Sequence, residues 1–146
     1  MENNKEKTDS GPVTDLFKKD RFIRHIGAEL VEASPGRARA KLEIKELHLN
    51  GVGTVQGGVI FTLADFTFAV ASHSYGEMFL TSNAAISFCK TANQGVLYAE
   101  AREISRGRNL ATYSVEVTDD RGLVVASFQG TGFRRDQRNL RKTNGS

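Results

Sequence analysis

QGGVIFTLADFTFAVASHSYG, residues 56–76, opens on two adjacent glycines and continues as a long apolar-rich run holding a single carboxylate, Asp65. No proline or interior glycine interrupts Val59 to Ser74, apolar residues fall on every face, and Gly76 suits the left-handed position that closes a helix. The spacing therefore predicts one helix that seeks burial all round. On it Asp65 shares a face with Phe61, Phe68, Ala69 and Ser72, so its ionised form is poorly solvated. Such a carboxylate costs stability unless something satisfies or uses it. Two readings stay open on these residues: a structural acid bonded to a neighbouring backbone group, or a functional one.

The glycine pair favours the second reading. Gly57 and Gly58 present no side chain to a ligand, and at a helix start their N–H groups have no intrahelical acceptor, which suits them to stabilise an oxyanion. Gly57 and Asp65 lie eight residues apart in the chain, about 12 Å at the helical rise. One copy cannot bring both to a single reacting carbonyl. If they act together, the Asp of one chain meets the Gly of another, and a symmetric dimer with two equivalent interfacial sites is expected.

The 146 residues suit one domain, and 39% hydrophobic with 25% charged residues is an ordinary soluble composition. Thr62, Asp65, Thr67 and Ser72 interrupt the richest apolar stretch well short of the roughly twenty residues a membrane span needs, and the polar start MENNKEKTDSG lacks a secretory core. The single cysteine, Cys89, cannot form an internal disulfide, and no Cys/His cluster has metal spacing. A cytoplasmic protein without metal or cofactor is expected. The net charge of +3 owes much to the stretch Arg134 to Lys142, which reads as a solvated tail rather than a nucleic-acid surface.

Residues 1–12 read as a disordered polar tail, 13–133 as the folded domain and 134–146 as a basic disordered tail. Val13 to Ile26 has helix-like apolar spacing, with His25 a surface or packing residue. Ala28 to Ala33 reads as a strand, Ser34-Pro35-Gly36 as its turn, and Arg37 to Leu47 as a second strand with Ala38, Ala40, Leu42 and Ile44 on one face. A loop from His48 to Val55 leads into the long helix. Strands follow over Phe79 to Phe88, Val96 to Ile104, Leu110 to Thr118 and Leu123 to Phe133. Two strands, one apolar helix and four strands imply an α+β fold with an antiparallel sheet wrapped around that helix.

The run His48-x-Asn50, Gly53, Gly57-Gly58 and Leu63-Ala64-Asp65 resembles the hotdog-fold acyl-CoA thioesterases, most closely the phenylacetic-acid-degradation type. The likeness covers Ala28 to Phe133 in element order. It implies a sheet of five to six strands around a long central helix, a dimer or dimer of dimers, and hydrolysis of acyl-CoA at the interface. It gives Asp65 the role of nucleophile or general base, and has Gly57 of the opposite subunit donate its N–H to the thioester oxygen. By the same resemblance Asn50 helps orient the carbonyl or the water, and Thr81 or Ser82 positions the water. The substrate-binding set it implies adds Gln56, Gly58, His48 and Phe61, with Arg106, Arg108 and Asn109 near the nucleotide of coenzyme A, whose phosphates a mildly basic surface suits. The group usually has His where this chain has Gln56, which keeps a donor and an acceptor but does not titrate near neutral pH.

Beside these readings, His48 reads as a loop-structuring residue rather than a catalyst. His73 reads as a partly exposed imidazole complementing the helix dipole, Cys89 as a small apolar strand residue, and Phe61, Phe66 and Phe68 as core first, with one of them a candidate for the lining of an acyl pocket. A non-catalytic acyl-CoA binding protein of the same fold is the alternative. No helix-turn-helix segment points to DNA regulation.

Overall fold

The computed structural model describes residues 15 and 17–136. Val13 and Leu16, the tail 1–12 and residues 137–146 lie outside that span. Helix α1, Arg21–Ile26, is the last part of the helix expected over 13–26; Asp20 caps it, accepting from the Ile23 N–H at 3.1 Å, and Gly27 closes it at φ 81°. Helix α2 spans Gly57–His73. Six strands complete the fold: β1 Ala28–Ser34, β2 Arg37–Glu43, β3 Phe79–Phe88, β4 Val96–Arg106, β5 Leu110–Thr118 and β6 Val124–Arg134.

The strands form one antiparallel sheet in the order β1-β2-β4-β5-β6-β3, and α2 packs against all six. The sheet's inner floor is shallow at its centre, where Ala38 pairs Ala101 and Ala40 pairs Ala99, so the helix backbone can sit close. Around it stand larger groups: Leu42, Leu97, Tyr113, Val115, Val117 and Phe128 are buried with Leu63, Phe66, Phe68 and Val70 of the helix. On β6 two glycines make room for Phe68. A Cβ on Gly130 would stand 2.9 Å from Phe128 and 3.1 Å from Phe68.

Four expectations need correction. The second strand stops at Glu43, and the Glu46–His48 stretch is a 3₁₀ turn, because His48 folds back to bond the Lys45 N–H. Helix α2 ends at His73 with Ser74 as its cap, and Gly76, at φ 85°, turns the chain after the helix rather than closing it. The helix is not buried all round within one chain, since Gly58 is exposed and Phe61, Thr62, Asp65 and Ala69 are only half-buried, a stripe at helical spacing. Arg134, assigned to the tail, ends β6 opposite Phe79, its guanidinium 3.4 Å from Glu77.

Candidate active site

The loop between β2 and α2 is held from within. Asn50 Oδ1 accepts from the N–H groups of Val52 and Thr54, both at 3.1 Å, and its Nδ2 donates to Thr54 Oγ1 at 3.0 Å. His48 is buried; its Nδ1 accepts from the Lys45 N–H at 2.9 Å, so Nε2 carries the proton and donates to the Ile26 carbonyl at 2.7 Å. Neither ring nitrogen is left for a ligand, which removes His48 from the substrate-binding set. Its carbonyl accepts from the Gln56 N–H at 2.8 Å and so fixes the entry to α2.

Gln56 caps the helix through its backbone alone: its carbonyl accepts from Val59 at 2.9 Å and Ile60 at 3.4 Å, and its exposed side chain makes no cap bond. The N–H groups of Gly57 and Gly58 are unclaimed among the described residues. A side chain at Gly57 would meet the ring of Phe88, whose Cζ lies 3.1 Å from the position of a Cβ. Phe88 ends β3 with 54% of its surface exposed.

Further along the helix Thr81 Oγ1 donates to Asp65 Oδ1 at 3.2 Å. Burial pushes the Asp65 carboxyl above its ordinary range, the Thr81 bond pulls it back, and the nearby charge of Asp20 raises it further. A bulge in β3, where the register against β6 shifts between Thr81 and Asn83, sends the two neighbouring hydroxyls to different partners. Thr81 faces the helix, whereas Ser82 Oγ donates to the Thr131 carbonyl at 3.0 Å. Phe61, half-buried, packs edge-on against Phe128 at 5.5 Å.

Arg106 does not reach outward as the nucleotide reading asked. Its guanidinium lies over the rings of Tyr75 at 4.1 Å and Phe79 at 4.7 Å, and Nη1 donates to the Ser72 carbonyl and the Tyr113 hydroxyl. Tyr113 in turn donates to Glu103 at 3.0 Å, and its hydroxyl is held protonated by burial and by that carboxylate. Arg106 thus ties the end of α2 to β4, β5 and the start of β3, while Arg108 and Asn109 are exposed. His73 is also inside, not partly exposed: Nδ1–H donates to Ala69 and Nε2 accepts from the Phe79 N–H, and burial lowers its pKa. A neutral ring cannot complement the helix dipole. Cys89 lies just beyond β3 and is exposed. Phe88 and Asp20 escaped the sequence reading; the alternation of Ala84, Ile86 and Phe88 along β3 was the signal for the first, and nothing in the spacing signalled the second.

A cavity of about 440 Å³ lies elsewhere, between residues such as Phe17, Ile23 and Phe66 and strand β1, and neither Asp65 nor Gly57 lines it. Within one chain Asp65 lies on the half-open stripe of α2, and Gly57 at the start of that helix. Among the described residues no cluster of metal-ligating side chains occurs, and no helix is long and apolar enough to cross a membrane.

The pattern of the thioesterase superfamily matches residues 52–126, from the loop before α2 into β6. A protein of Archaeoglobus fulgidus named as a candidate esterase is 36% identical over 120 residues, which cover 82% of this chain and 78% of that one. The acyl-coenzyme A thioesterase PaaI of Escherichia coli is 28% identical over 120 residues, 82% of this chain and 86% of the relative. The solved structure of the E. coli PaaI protein from the phenylacetic acid degradation operon superposes with a TM-score of 0.82 at 26% identity, covering 84% of this chain and 90% of that one.

Proposed function

This chain belongs to the thioesterase superfamily and has its hotdog fold, and we propose from that footing that it hydrolyses acyl-CoA thioesters at a site shared between two subunits. The observation that carries the shared site is the course of β3. This edge strand runs antiparallel to α2, with Thr81 beside Asp65 at one end and Phe88 against Gly57 at the other. A two-fold axis through the middle of β3 would pair the strand with its own copy and close the open edge. It would also set the Asp65 end of one subunit against the Gly57 end of the next, which the separation of about 12 Å along one helix requires. The half-open stripe of Gly58, Phe61, Thr62, Asp65 and Ala69 is then the face that lines the joint.

In that arrangement the thioester oxygen accepts from the unclaimed Gly57 N–H, where negative charge develops as the carbonyl carbon becomes tetrahedral. Asp65 takes a proton from water as the water oxygen bonds to that carbon, or attacks the carbon itself to give an anhydride that water then opens. The C–S bond breaks in either route, releasing the acid and the thiol of coenzyme A. Thr81 holds Asp65 Oδ1, leaving the other carboxylate oxygen for the reaction. Asn50 shapes the loop that presents Gly57, and Gln56, whose side chain is exposed, lines the mouth. Arg108 and Asn109 remain the candidates for the nucleotide; Arg106 is committed to the fold.

Release of free thiol from a panel of acyl-CoAs by the purified protein, with its loss in Asp65→Ala and Asp65→Asn, tests this reading. Tight acyl-CoA binding by calorimetry without turnover would instead establish the non-catalytic alternative.

A further inference from the structure

Phe88 is a large apolar side chain at the end of an edge strand, more than half exposed, with its ring tip turned onto the backbone of Gly57. The distances from a Cβ position on Gly57 to Cζ, Cε1 and Cε2 are 3.1, 3.5 and 3.7 Å, so the ring fills the space a side chain would take there. Opposite Phe88 on β6 stands the small, buried Ala126, which supports the strand but does not cover the ring. Resting on the shared thioesterase site above, we propose that Phe88 is a specificity-determining residue, the wall that selects acyl groups by their shape next to the thioester carbonyl.

A carbonyl oxygen accepting from Gly57 stands about 2.9 Å from its nitrogen, and because the ring covers the Cβ side of the same residue, on this proposal the acyl carbon's first substituents lie against the ring. A CH₂ at that position slides past the ring edge. A branch or an aromatic ring attached directly to the carbonyl collides with it. The enzyme therefore accepts straight-chain and arylacetyl thioesters and rejects their α-branched and aroyl counterparts. Discrimination of one or two carbons by an apolar wall is worth about 10- to 200-fold.

The test uses matched pairs: butyryl-CoA against isobutyryl-CoA, and phenylacetyl-CoA against benzoyl-CoA, with the full-length protein and its Phe88→Ala and Phe88→Leu variants. The wild type should prefer the first member of each pair. Phe88→Ala should shrink both preferences about tenfold or more by raising kcat/KM for isobutyryl- and benzoyl-CoA, with Phe88→Leu intermediate and the solution mass unchanged. Hydrolysis by the wild type with equal changes for both members of each pair would overturn the role of Phe88 and leave the shared site standing. No hydrolysis of any substrate by the wild type would overturn both.

Discussion

Asp65 sits where its charge is poorly solvated, and that fixes how the protein should answer to pH and to mutation. Its folded-state pKa is raised above 3.8, chiefly by burial, so the acid binds its proton more readily folded than unfolded. The extra stability of the protonated form is present below 3.8 and is lost as pH rises through the folded pKa. At neutral pH the ionised Asp65 thus costs stability, and Asp65→Asn should unfold no earlier than wild type on heating at pH 7 while turnover falls by about 10²- to 10⁴-fold. The proposed mechanism needs the carboxylate, so kcat/KM should decline with falling pH through an apparent pKa above 3.8. The Thr81 hydroxyl favours the charged form, so Thr81→Ala should move that acid limb to higher pH and Thr81→Ser should not; a limb that stays put in Thr81→Ala argues against the contact. The acid and the glycine pair stood out in the sequence because each breaks its surroundings. His48 reads from the sequence as loop-structuring, which its bonds bear out, but what takes it and Arg106 out of the substrate-binding set is a group of backbone and ring partners as remote as Ile26 and Ser72.

At the scale of elements, the fold rests on a helix lowered onto a floor of small residues, and β6 carries the tightest point. Gly130→Ala should destabilise by about 1–3 kcal/mol in denaturant titrations, because the new methyl group meets Phe68 and Phe128 at distances neither buried ring can easily give up. The far end of the helix adds a pH term of opposite sign to that of Asp65. Burial lowers the pKa of His73 below 6.5, so the unfolded chain takes up the proton first and stability falls as pH drops through that value. His73→Gln should flatten the melting temperature between pH 7.5 and 5.5, a range chosen to bracket that midpoint, about a unit on either side. The strands were readable because β2 and β5 alternate strictly, and β3 and β5 were bounded by turn residues at both ends. The helix's open stripe was not, since a run apolar on every face reads as fully buried. Asp65 and its neighbours on that stripe remain uncovered within one chain.

The whole molecule, taken as a single chain, keeps Asp65 and Gly57 beside opposite ends of an edge strand, and the proposed site needs a second copy to bring them together. Mass measurement in solution should therefore give at least a dimer. Heterodimers test the sharing itself. One subunit carries Asp65→Ala; the other carries Gly57→Pro, which removes the N–H at a first helical position where a proline backbone is tolerated and whose Cβ requires a shift of a few tenths of an ångström from the exposed Phe88 ring. Each homodimer should be inactive. With separate affinity tags isolating the mixed dimer, the account predicts one dead site and one intact site, hence about half the wild-type turnover per dimer; a mixed dimer no more active than its two parents would contradict it.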